Sequence, residues 1–76
     1  MIYSTSRPEY SHLVALIGRR VRLQYTNDPY TNLSQGDEGV VDYVDDVGTL
    51  FVKWDNGSRL GLVSEAGDRW TVIPND

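Results

Sequence analysis

Seventy-six residues without a cysteine make one domain that neither a disulfide framework nor a thiolate metal site can stiffen. Eleven acidic against seven basic side chains leave a net charge of −4, which argues against loose, charge-driven binding to nucleic acid or to an anionic membrane. The N-terminus has no basic region followed by an apolar run, and the longest apolar run, residues 13–17, is too short to cross a bilayer. These bounds predict a cytoplasmic, non-membrane domain over residues 1–76.

The first 18 residues read as an N-terminal segment and helix. Ser6-Arg7-Pro8-Glu9 matches a capping box, in which Ser6 caps free amides and Glu9 reaches back. Pro8 suits a first turn, where its missing N–H has no partner. Tyr10, Leu13, Val14 and Ile17 fall at i, i+3, i+4 and i+7, which predicts one apolar stripe on a helix over residues 7–17. Gly18 stands where a left-handed terminating residue is wanted. A helix this short needs tertiary support, so its stripe is expected on a sheet.

Residues 20–25 alternate cleanly and predict a first strand, with Val21, Leu23 and Tyr25 inward and Arg20, Arg22 and Gln24 outward. Residues 26–35 are polar, carry Asp28-Pro29 and show no period, which predicts a long loop. The stretch from Gly36 to Gly57 then reads strand, turn, strand, turn, and organises the rest of the chain. At its end a two-residue Asn56-Gly57 turn would put Leu60 and Leu62 on the face of Lys53. A three-residue turn with Gly57 left-handed pairs Trp54 with Ser58, Val52 with Leu60 and Leu50 with Leu62. Register follows the buried face, so the three-residue turn with a bulge at Gly57 is expected. It sets Phe51 across from Gly61, and Lys53 across from Arg59. That like-charge pair is unfavourable unless Asp42 or a ligand anion sits between them. Residues 64–68 form a turn before a last strand over residues 69–73, closed by Pro74. Five short strands with tight turns predict an all-β fold, a small bent barrel over residues 19–73 that also removes exposed sheet edges.

Several motifs together, Ile17-Gly18-x-x-Val21-x-Leu23, Asp28-Pro29-Tyr30, Gly36-Asp37-Glu38-Gly39-x-Val41, Asp45-Asp46-x-Gly48, Val52-x-Trp54-Asp55-Asn56-Gly57-Ser58-x-Leu60-x-Leu62 and Asp68-Arg69-Trp70-x-Val72, resemble an uncharacterised domain-of-unknown-function family. Its members are small proteins of bacteria, phages and mobile elements. The resemblance runs from about Ile17 to Ile73. It implies an SH3-like barrel, five-stranded with the short helix packed on it, and it brings no activity.

Catalysis has little to stand on. The one histidine, His12, lies in the predicted helix without an indicated partner and reads as a surface or packing residue. The serines lie in caps, turns and loops. Asp45-Asp46-Val47-Gly48 lacks the alternating ligands of a calcium loop, and Gly36-Asp37-Glu38-Gly39 lacks the Lys-Ser/Thr of a phosphate loop. The expectation is a binding module that is not an enzyme, with no cofactor and no metal.

Three ligand surfaces compete. The first, for a protein or peptide, uses Asp28, Pro29 and Tyr30 of the long loop with Phe51 on the outward parity of its strand. The alternative for these aromatics is that the helix covers Phe51 and Tyr30 folds over the barrel mouth. Trp54 adjoins this surface, although with Trp70 it reads first as a large core or edge residue. The second is a nucleic-acid face of Arg20, Arg22, Lys53 and Arg59, against which surface ion pairing is the plainer reading. The third is a phosphate-mimicking acidic inhibitor of a nuclease, presenting Asp37, Glu38, Asp45 and Asp46. An uncovered Phe51 face also leaves monomer and weak homodimer open.

Overall fold

The structure is a computed structural model that describes residues 8–28 and 31–74, without the side chains of residues 8 and 9. Helix α1 spans Pro8–Val14. The strands are β1 (Arg20–Tyr25), β2 (Glu38–Val44), β3 (Leu50–Trp54), β4 (Gly61–Leu62) and β5 (Arg69–Val72), with a 3-10 turn at Ser64–Ala66 before the last. All five strands join one antiparallel sheet in the order β4-β3-β2-β1-β5. Leu62 of one edge strand and Trp70 and Val72 of the other pack into a single cluster with Val21, Leu23, Val41, Leu50, Val52 and Trp54. Both edges therefore wrap one core, giving the small barrel-like all-β fold expected.

Closure is made by side chain and turn rather than by a ladder. β4 and β5 are both edges, kept harmless by being two and four residues long. The link between them is tied by Asp68, whose backbone N–H donates to the Val63 carbonyl at 3.3 Å. Its carboxylate accepts from the Val63 N–H at 2.8 Å, the Asn27 N–H at 2.8 Å and the Thr26 hydroxyl at 3.0 Å. Asp68 is the one buried charged residue among those described, and these donors satisfy it in the absence of a cation.

The turn at residues 55–57 has the expected form. Leu50 pairs with Leu62 and Phe51 with Gly61, the Trp54 N–H donates to the Ser58 carbonyl at 3.3 Å, and Gly57 has φ +90°. Glycine is also needed at position 39 for a different reason, since a Cβ there would stand 2.5 Å from the Lys53 carbonyl oxygen and 2.7 Å from the Trp54 Cα.

Two expectations fail, each for a local reason. The α-helix stops at Val14 and continues as tight turns, with Leu16 N–H to Leu13 O at 2.9 Å and Ile17 N–H to Val14 O at 3.2 Å. Three residues per turn bring Leu13 and Leu16 onto the core and leave Val14 and Ile17 exposed. Gly18 ends the segment at φ +88° as expected, whereas the capping box involves side chains outside the described residues. Tyr25 is 56% exposed rather than inward, because the β1–β5 register shifts between Leu23 and Tyr25. Such a one-residue bulge exchanges the faces beyond it. Among the described residues no helix or strand falls between β1 and β2, as expected of the long loop, and Leu33 anchors it in the core.

Candidate functional site

The sheet's inner face is occupied by the core, with Leu13 and Leu16 packed against it, and the outer face of β2 and β3 carries aromatic and charged side chains. A bulge shapes that face. Val41 pairs with Val52, but Tyr43 pairs with Phe51 and Val44 with Leu50, so Asp42 is the extra residue. The extra residue sends both Asp42 and Tyr43 outward and returns Val44 to the core. Tyr43 is 49% exposed and stacks on Phe51 with ring centroids 4.5 Å apart and planes 13° from parallel. On the far side, Phe51 overlies Gly61: a Cβ there would meet ring carbons at 3.2 and 3.3 Å. The result is a flat aromatic slab across β2 and β3, stiffened by a stacking contact of about 0.5–1.5 kcal/mol.

Beside the slab lies a lattice of charge. Arg22 donates to Glu38 from Nε at 3.2 Å and from Nη2 at 3.1 Å. Arg20 pairs with Asp55 and, at 3.6 Å, with Glu38. Nearer the slab, Asp42 stands between two cations, 3.9 Å from the Lys53 Nζ and 3.5 Å from the Arg59 Nη2. This is the relief that the Lys53–Arg59 juxtaposition called for. Exposed pairs of this kind contribute about 0–1 kcal/mol each, so they tune the surface more than they hold the fold.

A family model described as a domain of unknown function, DUF4314, matches residues 14–73. The chain belongs to that family. No curated protein and no solved structure matches the chain.

In this DUF4314 chain the sequence-predicted residues part company. Arg20, Arg22, Lys53 and Arg59 do share the outer face, but each is ion-paired there. Phe51 also lies on that face, flanked by Tyr43 and not by the helix, whose Leu13 and Leu16 pack inside. Trp54 takes the core role of its two readings: it is 4% exposed, and its indole N–H donates to the Leu60 carbonyl at 2.9 Å. Its ring therefore offers a ligand no surface. Asp28 belongs to a different neighbourhood, following Thr26 and Asn27, which are bound to Asp68. Pro29 and Tyr30 lie outside the described residues.

The acidic candidates are largely engaged with the chain itself. Glu38 serves two arginines. Asp37 accepts from the Ser34 N–H at 2.9 Å, and Asp45 accepts from the Val47 and Thr49 amides at 3.1 and 2.8 Å inside its own turn. His12 is exposed on α1. Among the described residues no group of three His, Cys, Asp or Glu side chains is placed to hold a metal ion, and no helix is long and apolar enough to cross a membrane.

Tyr43 is the site residue that sequence reasoning missed. Uninterrupted alternation from Val41 puts it inside. The available signal was the pairing of two inward residues, Val44 and Leu50, across the turn at residues 45–49. That pairing and the Val41–Val52 pairing are one residue out of step, which requires a bulge.

Proposed function

We propose that the chain is a non-catalytic binding module on an SH3-like barrel, acting on a protein or peptide partner as a cytoplasmic accessory in a bacterium, phage or mobile element. The observation that carries this reading is the Tyr43–Phe51 stack on the outer face, in which Tyr43 is exposed and Phe51 half-buried. Aromatic side chains held rigid before binding are the usual anchors of an interface, because little rotamer entropy is lost when they are covered. The strand order, a β1–β4 meander with β5 returning beside β1, supports the SH3-like assignment. The ion-paired arginines weigh against nucleic acid as the ligand, since a phosphate chain would have to displace Glu38, Asp42 and Asp55.

The test is affinity capture from nuclease-treated bacterial lysate with the wild type, Tyr43→Ala and, as a control on another exposed tyrosine, Tyr25→Ala. A protein retained by the wild type and Tyr25→Ala but lost with Tyr43→Ala fits the proposal. Capture that disappears on nuclease treatment, or that Tyr43→Ala leaves intact, would contradict it.

A further inference from the structure

Resting on that reading, we infer that the ligand is an acidic peptide: an apolar side chain lies on the Tyr43–Phe51 slab, and a carboxylate two residues away joins Asp42 at Lys53 and Arg59. Arg20 and Arg22 meet two carboxylates, Glu38 and Asp55. Among the described residues Lys53 and Arg59 meet only Asp42, at separations of 3.9 and 3.5 Å that are long for an ion pair. Their side chains are 61% and 67% exposed, which leaves donors directed to solvent. Within this cluster of two cations and one carboxylate one positive charge is in surplus, in a chain whose net charge is −4.

The spacing sets the form of the ligand. Phe51 and Lys53 are two residues apart on β3 and project to the same face, so their side chains are separated by about 7 Å along the strand. An extended peptide repeats its own same-face side chains at that interval, which matches an apolar residue on Phe51 with an acid on the Lys53–Arg59 pair. A single carboxylate satisfies a single surplus cation. A nucleic-acid backbone brings a row of phosphates, and on this face they would meet Glu38, Asp42 and Asp55, where like charges repel. Asp42 then bridges the two cations in the free protein, and its charge opposes the incoming acid.

Short random peptides displayed on phage are selected on the immobilised wild-type chain. A selected peptide is then measured by fluorescence anisotropy against the wild type, Lys53→Gln/Arg59→Gln and Asp42→Asn, with labelled oligothymidylate as comparator. Selection of an acid two residues from an aliphatic or aromatic residue is expected. The double cation variant should bind about tenfold more weakly or worse, and Asp42→Asn should bind several-fold more tightly, because the opposing charge is gone. A residue with only a structural role would not strengthen binding when neutralised. Circular dichroism melts establish that each variant is folded.

Selected peptides that are apolar without an acid, or an Asp42→Asn variant that binds no better, would overturn the acidic-peptide inference and leave the binding module standing. Failure to select any peptide would also overturn the acidic-peptide inference, and binding of oligothymidylate in its place would contradict the binding module's protein or peptide ligand as well.

Discussion

Replacing Asp68 with Ala removes the knot that joins three parts of the barrel. Its Oδ1 accepts from the Thr26 hydroxyl and the Asn27 N–H, and its Oδ2 from the Val63 N–H. The residue is 6% exposed, so water replaces these bonds poorly. Two backbone amides lose their acceptor at about 1–3 kcal/mol each, with some recovery as the loop relaxes toward solvent. A loss of about 2–4 kcal/mol is expected, against a stability near the low end of the usual 5–15 kcal/mol. For a domain of this size each kcal/mol moves Tm by about 4–8 °C, so Tm should fall by at least about 8 °C. Asp68→Asn separates charge and geometry from bulk. One carbonyl oxygen can keep the Oδ1 contacts, but an NH2 then faces the Val63 N–H, and the cost should lie between wild type and Ala. Urea denaturation followed by far-UV circular dichroism gives the energies, and amide hydrogen exchange reports on Asn27 and Val63. A cost below about 1 kcal/mol for Asp68→Ala, or unchanged exchange at both amides, would refute the account of closure.

Gly39→Ala should destabilise by about 2–3 kcal/mol or more, because its Cβ has only 2.5 Å to the Lys53 carbonyl oxygen and the β2–β3 pair must part to admit it; chemical denaturation measures this. Leu33→Ala should cost about 2–4 kcal/mol if the long loop is anchored in the core, and no more than a few tenths if it only covers the surface. Tyr43→Ala should cost only the stacking contribution of about 0.5–1.5 kcal/mol while removing ligand binding, which a melt and a binding isotherm on one sample distinguish.

Much of the frame was legible in the sequence because it depends on neighbours a few residues apart. The choice of a three-residue turn at residues 55–57 followed from which face Leu60 and Leu62 must share, and the structure places them so. The same register exposed the Lys53–Arg59 clash and nominated Asp42 to relieve it, as the ion pairs show. What alternation could not show were the two bulges. Each adds one residue to a strand, at Gln24 against β5 and at Asp42 against β3, and each leaves a tyrosine outside that a strict period of two puts inside. A bulge is fixed by pairing across strands, and the partner of β1, namely β5, lies far along the chain. Leu33 and the shift from α-helical to 3-10 spacing after Val14 were hidden for the same reason: each is settled by the core it packs against. Trp54 could be read as core or contact until its depth was known.

On the function proposed, the outer face of β2 and β3 receives the ligand. Titrating isotopically labelled protein with a selected peptide, and following backbone amide shifts by two-dimensional NMR, tests it most directly. The largest changes are expected at Asp42, Tyr43, Phe51, Lys53, Arg59 and Gly61. Changes centred instead on Asn27 and Asp28, or on the exposed Val14 and Ile17, would contradict it.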